Sequence, residues 1–86
     1  MPDSDLTVEE LATTLGTRVS TIRLYQREGL LAPPERRGRV AFYTDAHVER
    51  LRLVARLQAR GFSLAAIRVV LETWQRGGSL DDLLGP

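Results

Sequence analysis

A run of apolar residues at helical spacing, closed by a glycine, constrains the start of this chain most strongly. From Val8 to Leu15 the apolar side chains recur every three or four residues, and Gly16 can end the helix in a left-handed conformation. Thr7 and Glu10 have the spacing of a capping box, in which each side chain satisfies a free backbone N–H of the first turn. These signals predict a short amphipathic helix that cannot continue past Gly16.

A second short helix is predicted after a turn of only a few residues. Ser20 is the expected N-cap, the helix runs to Glu28, and Gly29 ends it. Ile22 is the side chain expected to pack against the first helix. Two short helices joined by a tight turn predict a helix-turn-helix unit.

Residues 30–44 are predicted to form a small antiparallel hairpin. Pro33 and Pro34 exclude a continuing helix, and Gly38 offers a turn. The residues expected in the strands are Leu30 and Leu31 in the first and Val40, Phe42 and Tyr43 in the second.

A second helix pair follows the hairpin. Thr44 or Asp45 is expected to cap the third helix, which Gly61 ends, and Ser63 is expected to cap the fourth. His47, in the first turn of the third helix, is predicted to be a solvated surface residue. The side chains expected in the core are Val48, Leu51, Val54 and Leu57 in the third helix and Leu64, Ile67, Val70, Leu71 and Trp74 in the fourth.

The expected fold is therefore mainly α: a winged helix-turn-helix with a small two-stranded antiparallel wing, followed by a second helix pair. We expect it to occupy residues 6–76, between an N-terminal tail (1–5) and a C-terminal linker or short helix (77–86). The 86 residues include no cysteine and one histidine, so no metal site or cofactor is expected, and no catalytic constellation that would indicate an enzyme. No signal peptide or membrane-spanning apolar run is present in the sequence, which favours a cytoplasmic protein.

Charge is distributed unevenly along the chain. The formal net charge is only +1, but residues 1–17 sum to −4, residues 18–60 to +6 and residues 61–86 to −1. Every basic residue is an arginine. A GC-rich genome explains the absence of lysine, but it does not explain why the arginines cluster in the middle. Guanidinium groups suit phosphates and guanine edges, so the cluster points toward nucleic acid.

The second helix and the hairpin carry the candidate DNA contacts. An α-helix fits the major groove of DNA, and in a helix-turn-helix unit the second helix enters it by its N-terminal end. Ser20 and Thr21 are short donors suited to that position. A helix whose arginines simply face solvent would show a similar pattern, so the helix alone does not indicate DNA binding. The arginines at the hairpin tip favour it. The cations and the aromatic donor expected near phosphates are Arg18, Arg23 and Tyr25 in the helix and Arg36, Arg37 and Arg39 at the tip.

Two longer motifs, in this order, resemble those of a known family. The first is TIRLYQREGLL and the second is YTDAHVERLRLVARLQARGFSLAAIRVVL. The first is similar to a signature of arginine and aromatics before Gly-Leu-Leu. The second is similar to a tyrosine, a leucine-rich helix, Gly-Phe-Ser-Leu and an isoleucine-bearing helix. Over residues 6–75 the chain resembles the DNA-binding domain of the MerR family of bacterial transcription regulators.

The resemblance implies a function and a set of site residues. Members of this family are homodimers that bind pseudo-palindromic promoter DNA, many of them distorting it for RNA polymerase, with the wing and the later helix pair contacting the backbone. Leu24 stands where the family commonly has an aromatic, and Ala41 replaces a usual wing arginine, whose role is expected to pass to the neighbouring arginines. The DNA-binding residues expected are Arg18, Ser20, Thr21, Arg23, Leu24, Tyr25, Arg36, Arg37, Arg39 and Tyr43.

Two alternatives to a transcription regulator remain from the sequence. One is a small architectural DNA binder of the excisionase kind, and the other is a winged helix used for protein–protein contact. The family's long dimerisation helix and effector domain have no counterpart in the 86 residues, which indicates either a fragment of a longer protein or a small single-domain relative. We favour the fragment and expect it to be mostly monomeric. Trp74, if exposed, would be a candidate partner surface.

Overall fold

A computed structural model describes residues 5–75 and confirms the expected fold class. The helices and strands are α1 (Val8–Leu15), α2 (Val19–Arg27), β1 (Glu35–Arg37), β2 (Val40–Phe42), α3 (Asp45–Ala59) and α4 (Leu64–Gln75). Strands β1 and β2 with their turn form the wing, residues 35–42. Of the tail predicted over residues 1–5 only Asp5 is described, and the linker or short helix predicted over 77–86 lies outside the described residues.

The start of α1 has the capping box predicted from the sequence. The Thr7 N–H donates to Glu10 Oε1 at 2.9 Å, and the Glu10 N–H donates to Thr7 Oγ1 at 3.2 Å. Gly16 has a φ of 64°, and its N–H donates to carbonyls of the last turn. Both ends of α1 are therefore set by local sequence.

Helix α2 begins two residues earlier than predicted, so the assignment of Ser20 as N-cap is wrong. Arg18 is the N-cap residue, and its carbonyl accepts from the Thr21 and Ile22 N–H groups at 3.0 and 3.2 Å. Val19 packs against the core from within the helix. Val19, the first residue of α2, is partly buried, and Ser20 is an exposed residue of the first turn.

The wing pairs Glu35 with Phe42, Arg36 with Ala41, and Arg37 with Val40. The prediction of Leu30 and Leu31 as its first strand is wrong, because both are buried core residues in the connection from α2. The Leu30 N–H donates to the Tyr25 carbonyl at 2.8 Å, and Gly29 has a φ of 76°. This arrangement ends α2 and turns the two leucines inward.

Two packed clusters form the core. The first joins α1, α2, the wing base and α3 through Leu11, Ala12, Ile22, Leu31, Tyr43 and Leu51. The second joins α3 and α4 through Leu30, Val54, Leu57, Ile67, Val70 and Leu71. The prediction of Trp74 as a core residue is wrong, because its side chain is 48% exposed. It lies in the last turn of α4, one turn beyond Val70 and Leu71, where the second cluster ends.

His47 is buried, so its prediction as a surface residue is also wrong. The residue is 6% exposed and packs edge-to-face on Tyr43, with ring centroids 5.1 Å apart. The Thr44 N–H donates to Nδ1 at 3.0 Å, so the neutral ring carries its proton on Nε2. Nε2 then donates to the Pro33 carbonyl at 3.0 Å, which ties the start of α3 to the base of the wing.

Replacing His47 with alanine is expected to lower the free energy of unfolding by about 2 kcal/mol, because the Pro33 carbonyl and the Thr44 N–H both lose their partner and a buried ring is removed. Urea denaturation followed by circular dichroism measures this change. Glu49→Ala, at an exposed position of the same helix, is the control and is expected to stay within about 0.5 kcal/mol of the unaltered chain. Equal stability of the two variants would show that the His47 bonds contribute nothing.

Candidate nucleic-acid interface

Helix α2 presents its N-terminal half to solvent on the side away from the core. Ile22 is fully buried beneath it, whereas Ser20 and Leu24, one turn apart, lie on the opposite face. Arg18 and Ser20 are exposed, and Thr21 and Leu24 are partly exposed. The four side chains form a small polar and apolar surface at the start of the helix. Short polar and apolar side chains at the exposed start of a helix can contact base edges in a major groove about 12 Å wide.

Three of the predicted arginines line one concavity between α1, α2 and the wing. Arg23 comes from α2, and Arg36 and Arg39 come from the wing. The concavity has a volume of about 450 Å³, and we call it the wing groove. Glu9, in the first turn of α1, and Gln26 also line it. Three guanidinium groups against one carboxylate leave the wing groove cationic, as a phosphate-binding surface requires.

Arg37, also predicted to contact DNA, does not line the wing groove. Its guanidinium forms an ion pair with the Asp5 carboxylate and lies 5.0 Å from the ring centroid of Phe42. Successive side chains of a strand point to opposite faces, so Arg36 and Arg37 diverge. The structure therefore separates one predicted wing arginine from the other two.

The two tyrosines predicted to contact DNA both hydrogen-bond to glutamines of the protein. The Tyr25 hydroxyl donates to Gln58 Oε1 at 2.8 Å, at the edge of both core clusters. Tyr43 is 4% exposed, and its hydroxyl donates to Gln26 Oε1 at 3.1 Å. Gln26 and Gln58 were not predicted as site residues, because nothing in the local sequence indicates bonds across 17 and 33 positions.

Two further arginines that the sequence did not single out hold the C-terminal end of α2. Arg50 Nη1 donates to the Leu30 carbonyl, and Arg68 Nη1 donates to the Glu28 carbonyl, each at 3.4 Å. Cations are favourable at this negative end of a helix. Part of the chain's positive charge therefore positions α2, and spacing alone could not distinguish these arginines from those that face outward.

No group of three His, Asp or Glu side chains within residues 5–75 comes together as a metal site would require. Over the same residues, every helix is too short or too polar to span a membrane.

Comparison with known proteins places this geometry in a family. The family model of MerR HTH family regulatory proteins matches residues 6–74. The mercuric resistance operon regulatory protein of Pseudomonas fluorescens is 43% identical over 68 residues, which cover 78% of this chain and 47% of that protein. The chain thus spans about half the length of this relative.

Two solved structures are similar in both fold and sequence. The lead(II) complex of the transcription regulator PbrR691 from Ralstonia metallidurans superposes with a TM-score of 0.76 at 33% identity, covering 84% of this chain and 57% of that one. HiNmlR, a MerR family regulator lacking the sensor domain and bound to promoter DNA, gives a TM-score of 0.75 at 28% identity, with 90% and 61% coverage. With its helix-turn-helix, wing and second helix pair, the chain belongs to the MerR family of helix-turn-helix regulatory proteins.

Proposed function

We propose that this chain binds double-stranded promoter DNA in a sequence-specific manner, as the DNA-binding part of a transcription regulator. The observation that carries the proposal is the wing groove, which brings Arg23 of α2 together with Arg36 and Arg39 of the wing, beside the exposed start of α2. The similarity to HiNmlR, which was solved on promoter DNA, supports it. The relatives described above are transcription regulators, which favours this function over an excisionase-like role or a protein-contact role.

In this proposal the start of α2 reads bases in the major groove. Ser20 and Thr21 offer hydroxyls to base edges, and Leu24 offers an apolar contact of the kind that thymine methyl groups accept. All three side chains lie away from Ile22, on the solvent side of the helix or at its flank. These contacts would set which bases are preferred.

In the same proposal, the contacts with the DNA backbone come from the two sides of α2. Arg18, at the N-cap, and Arg23, with Arg36 and Arg39 across the wing groove, would neutralise phosphates. Tyr25 would donate its hydroxyl to a phosphate in exchange for Gln58. Tyr43, buried and bonded to Gln26, would act by holding the wing base against α2.

The full regulator is proposed to be a homodimer on a pseudo-palindromic promoter site, acting in the cytoplasm with RNA polymerase. A two-fold protein places its two recognition helices on half-sites about one helical turn apart, roughly 34 Å. The protein would then act by binding, and none of its steps would be enzymatic.

Single substitutions in α2 test the proposed division between phosphate and base contacts. Arg23→Ala is expected to weaken binding to all duplexes by about tenfold and to reduce the slope of log affinity against log salt by about 0.9. Ser20→Ala and Thr21→Ala are expected to change the bases enriched from a random duplex pool while leaving that slope unchanged. Selection followed by a salt titration measures both quantities.

Two results would contradict this proposal. One is an Arg23→Ala variant that is folded by circular dichroism and binds as tightly as the unaltered chain, since α2 would then not face a phosphate. The other is an unchanged base preference in a chain carrying both Ser20→Ala and Thr21→Ala.

A further inference from the structure

An ion pair joins the segment before α1 to the wing. The Asp5 carboxylate pairs with the Arg37 guanidinium across 32 positions of the chain. The Asp5 side chain is only 12% exposed, whereas that of Arg37 is 58% exposed. A carboxylate so shielded from water interacts more strongly with its partner than one on an open surface does.

Two further contacts hold the two sides of this ion pair. The Arg37 guanidinium also lies over the Phe42 ring at 5.0 Å, at a distance that permits a cation–π interaction. Next to Asp5, Leu6 exchanges two backbone hydrogen bonds with Tyr43, at 2.8 and 2.7 Å. An isolated antiparallel bridge therefore joins the segment before α1 to Tyr43, the residue that follows β2.

Arg36 and Arg37 lie on opposite faces of β1. Side chains alternate along β1, so with Arg37 held toward Asp5, Arg36 points to the opposite face and lines the wing groove. Arg39, beyond the turn at Gly38, lines the same groove. A wing free to rotate about its base would hold neither arginine beside Arg23.

We propose that Asp5 and Arg37 form a wing clamp, which positions Arg36 and Arg39 for DNA phosphates while itself remaining off the DNA. The inference rests on the proposed function and adds to it that Asp5 is a positioning residue. It also gives Arg37 a different role from the direct DNA contact expected from the sequence. With the clamp, an acidic residue increases the affinity of the protein for DNA, which is itself a polyanion.

The direction in which one substitution changes DNA affinity distinguishes the clamp from simple electrostatics. Asp5→Asn removes a negative charge, so charge alone predicts tighter DNA binding. The clamp predicts binding about fivefold weaker at low salt, with a smaller salt slope, because Arg36 and Arg39 no longer neutralise phosphates together. Fluorescence anisotropy with a labelled random duplex, titrated with salt, measures both quantities on the 86-residue chain.

A charge exchange tests the pair directly. The double variant Asp5→Arg with Arg37→Asp restores an ion pair of reversed polarity and is expected to bind within about twofold of the unaltered chain. Arg37→Asp alone places two carboxylates together and is expected to bind at least tenfold more weakly. If Arg37 contacted a phosphate directly, the double variant would bind as weakly as Arg37→Asp alone, and the clamp would be refuted.

Controls separate the clamp from loss of folding and from loss of the function itself. Glu49→Gln removes an exposed acid of α3 and is expected to bind within about twofold of the unaltered chain.

Tighter binding of Asp5→Asn would overturn the clamp whatever the other variants do. If Asp5→Asn is unfolded by circular dichroism, the charge exchange still decides. If the unaltered chain does not bind DNA, the proposed function fails; if it binds and these expectations are not met, only the clamp fails.

Discussion

Replacing Arg23, Arg36 and Arg39 together with glutamine is expected to lower the affinity for duplex DNA by about 100- to 1,000-fold at 0.1 M salt. The three guanidinium groups line one groove, so each would contribute a charge-assisted bond to a neighbouring phosphate. The slope of log affinity against log salt is expected to fall by about 2.7, which corresponds to three fewer displaced counterions. A salt titration on one labelled duplex measures both changes.

Lysine at the same three positions is the matched control for this prediction. It keeps the charge and loses only the planar fork, so the slope is expected to remain and the affinity to fall by less than about tenfold. A glutamine variant that is folded and keeps its slope would show that the wing groove does not face the backbone.

Replacing Ile22 with alanine is expected to lower the free energy of unfolding by about 3 kcal/mol, within the range of 2–5 measured for such truncations. Ile22 is fully buried at the point where α2 packs on α1, with Leu11 and Leu51 in the same cluster. A domain of this size has a total stability of roughly 5–15 kcal/mol, so the loss is a large fraction of it. Urea denaturation monitored by circular dichroism measures the change.

Ile22→Val is the control for the stability prediction, and about 1 kcal/mol is expected for the loss of a single methylene. Leu24→Ala, on the exposed side of the same helix, is expected to cost less than Ile22→Ala while affecting DNA binding more directly. Equal losses from Ile22→Ala and Leu24→Ala would contradict the orientation of α2 described here.

Features encoded within a few residues were predictable from the sequence. The capping box of α1 depends on Thr7 and Glu10, three positions apart, and the end of that helix depends on the conformational freedom of Gly16. The turn of the wing at Gly38 and the buried faces of α3 and α4 from Leu51 to Leu71 follow from equally local patterns. Helix propensity and periodicity act over these distances, so the fold class followed from the sequence.

The incorrect predictions concern helix starts, strands and burial that depend on residues distant in the sequence. Ser20 is a residue type typical of N-caps, but α2 already begins at Val19, which packs against the first core cluster. Leu30 and Leu31 have no periodic signal that distinguishes a strand from a buried connection. His47 is buried, and its bond to the Pro33 carbonyl crosses fourteen positions of the chain. Trp74 has helical spacing with the core, but it lies one turn beyond Val70 and Leu71 and is 48% exposed.

In the candidate site too, some features were predictable from the local sequence and others depend on long-range contacts. The arginines were identifiable as a group from their clustering, and the helix that carries Arg23 was identifiable from the two flanking glycines. Arg37 pairs with Asp5 whereas Arg36 and Arg39 line the wing groove, and no local sequence pattern encodes a pairing across 32 positions. The glutamines that hold the two tyrosines depend on contacts of the same long range.

The most direct test of DNA recognition by α2 and the wing is selection of the 86-residue chain on a random duplex pool, followed by a salt titration on the selected site. We expect one enriched half-site and a slope near −4, which corresponds to roughly four to five neutralised phosphates per protomer. Absence of binding at low salt would contradict the account, because the exposed arginines of α2 and the wing would then face water or a protein.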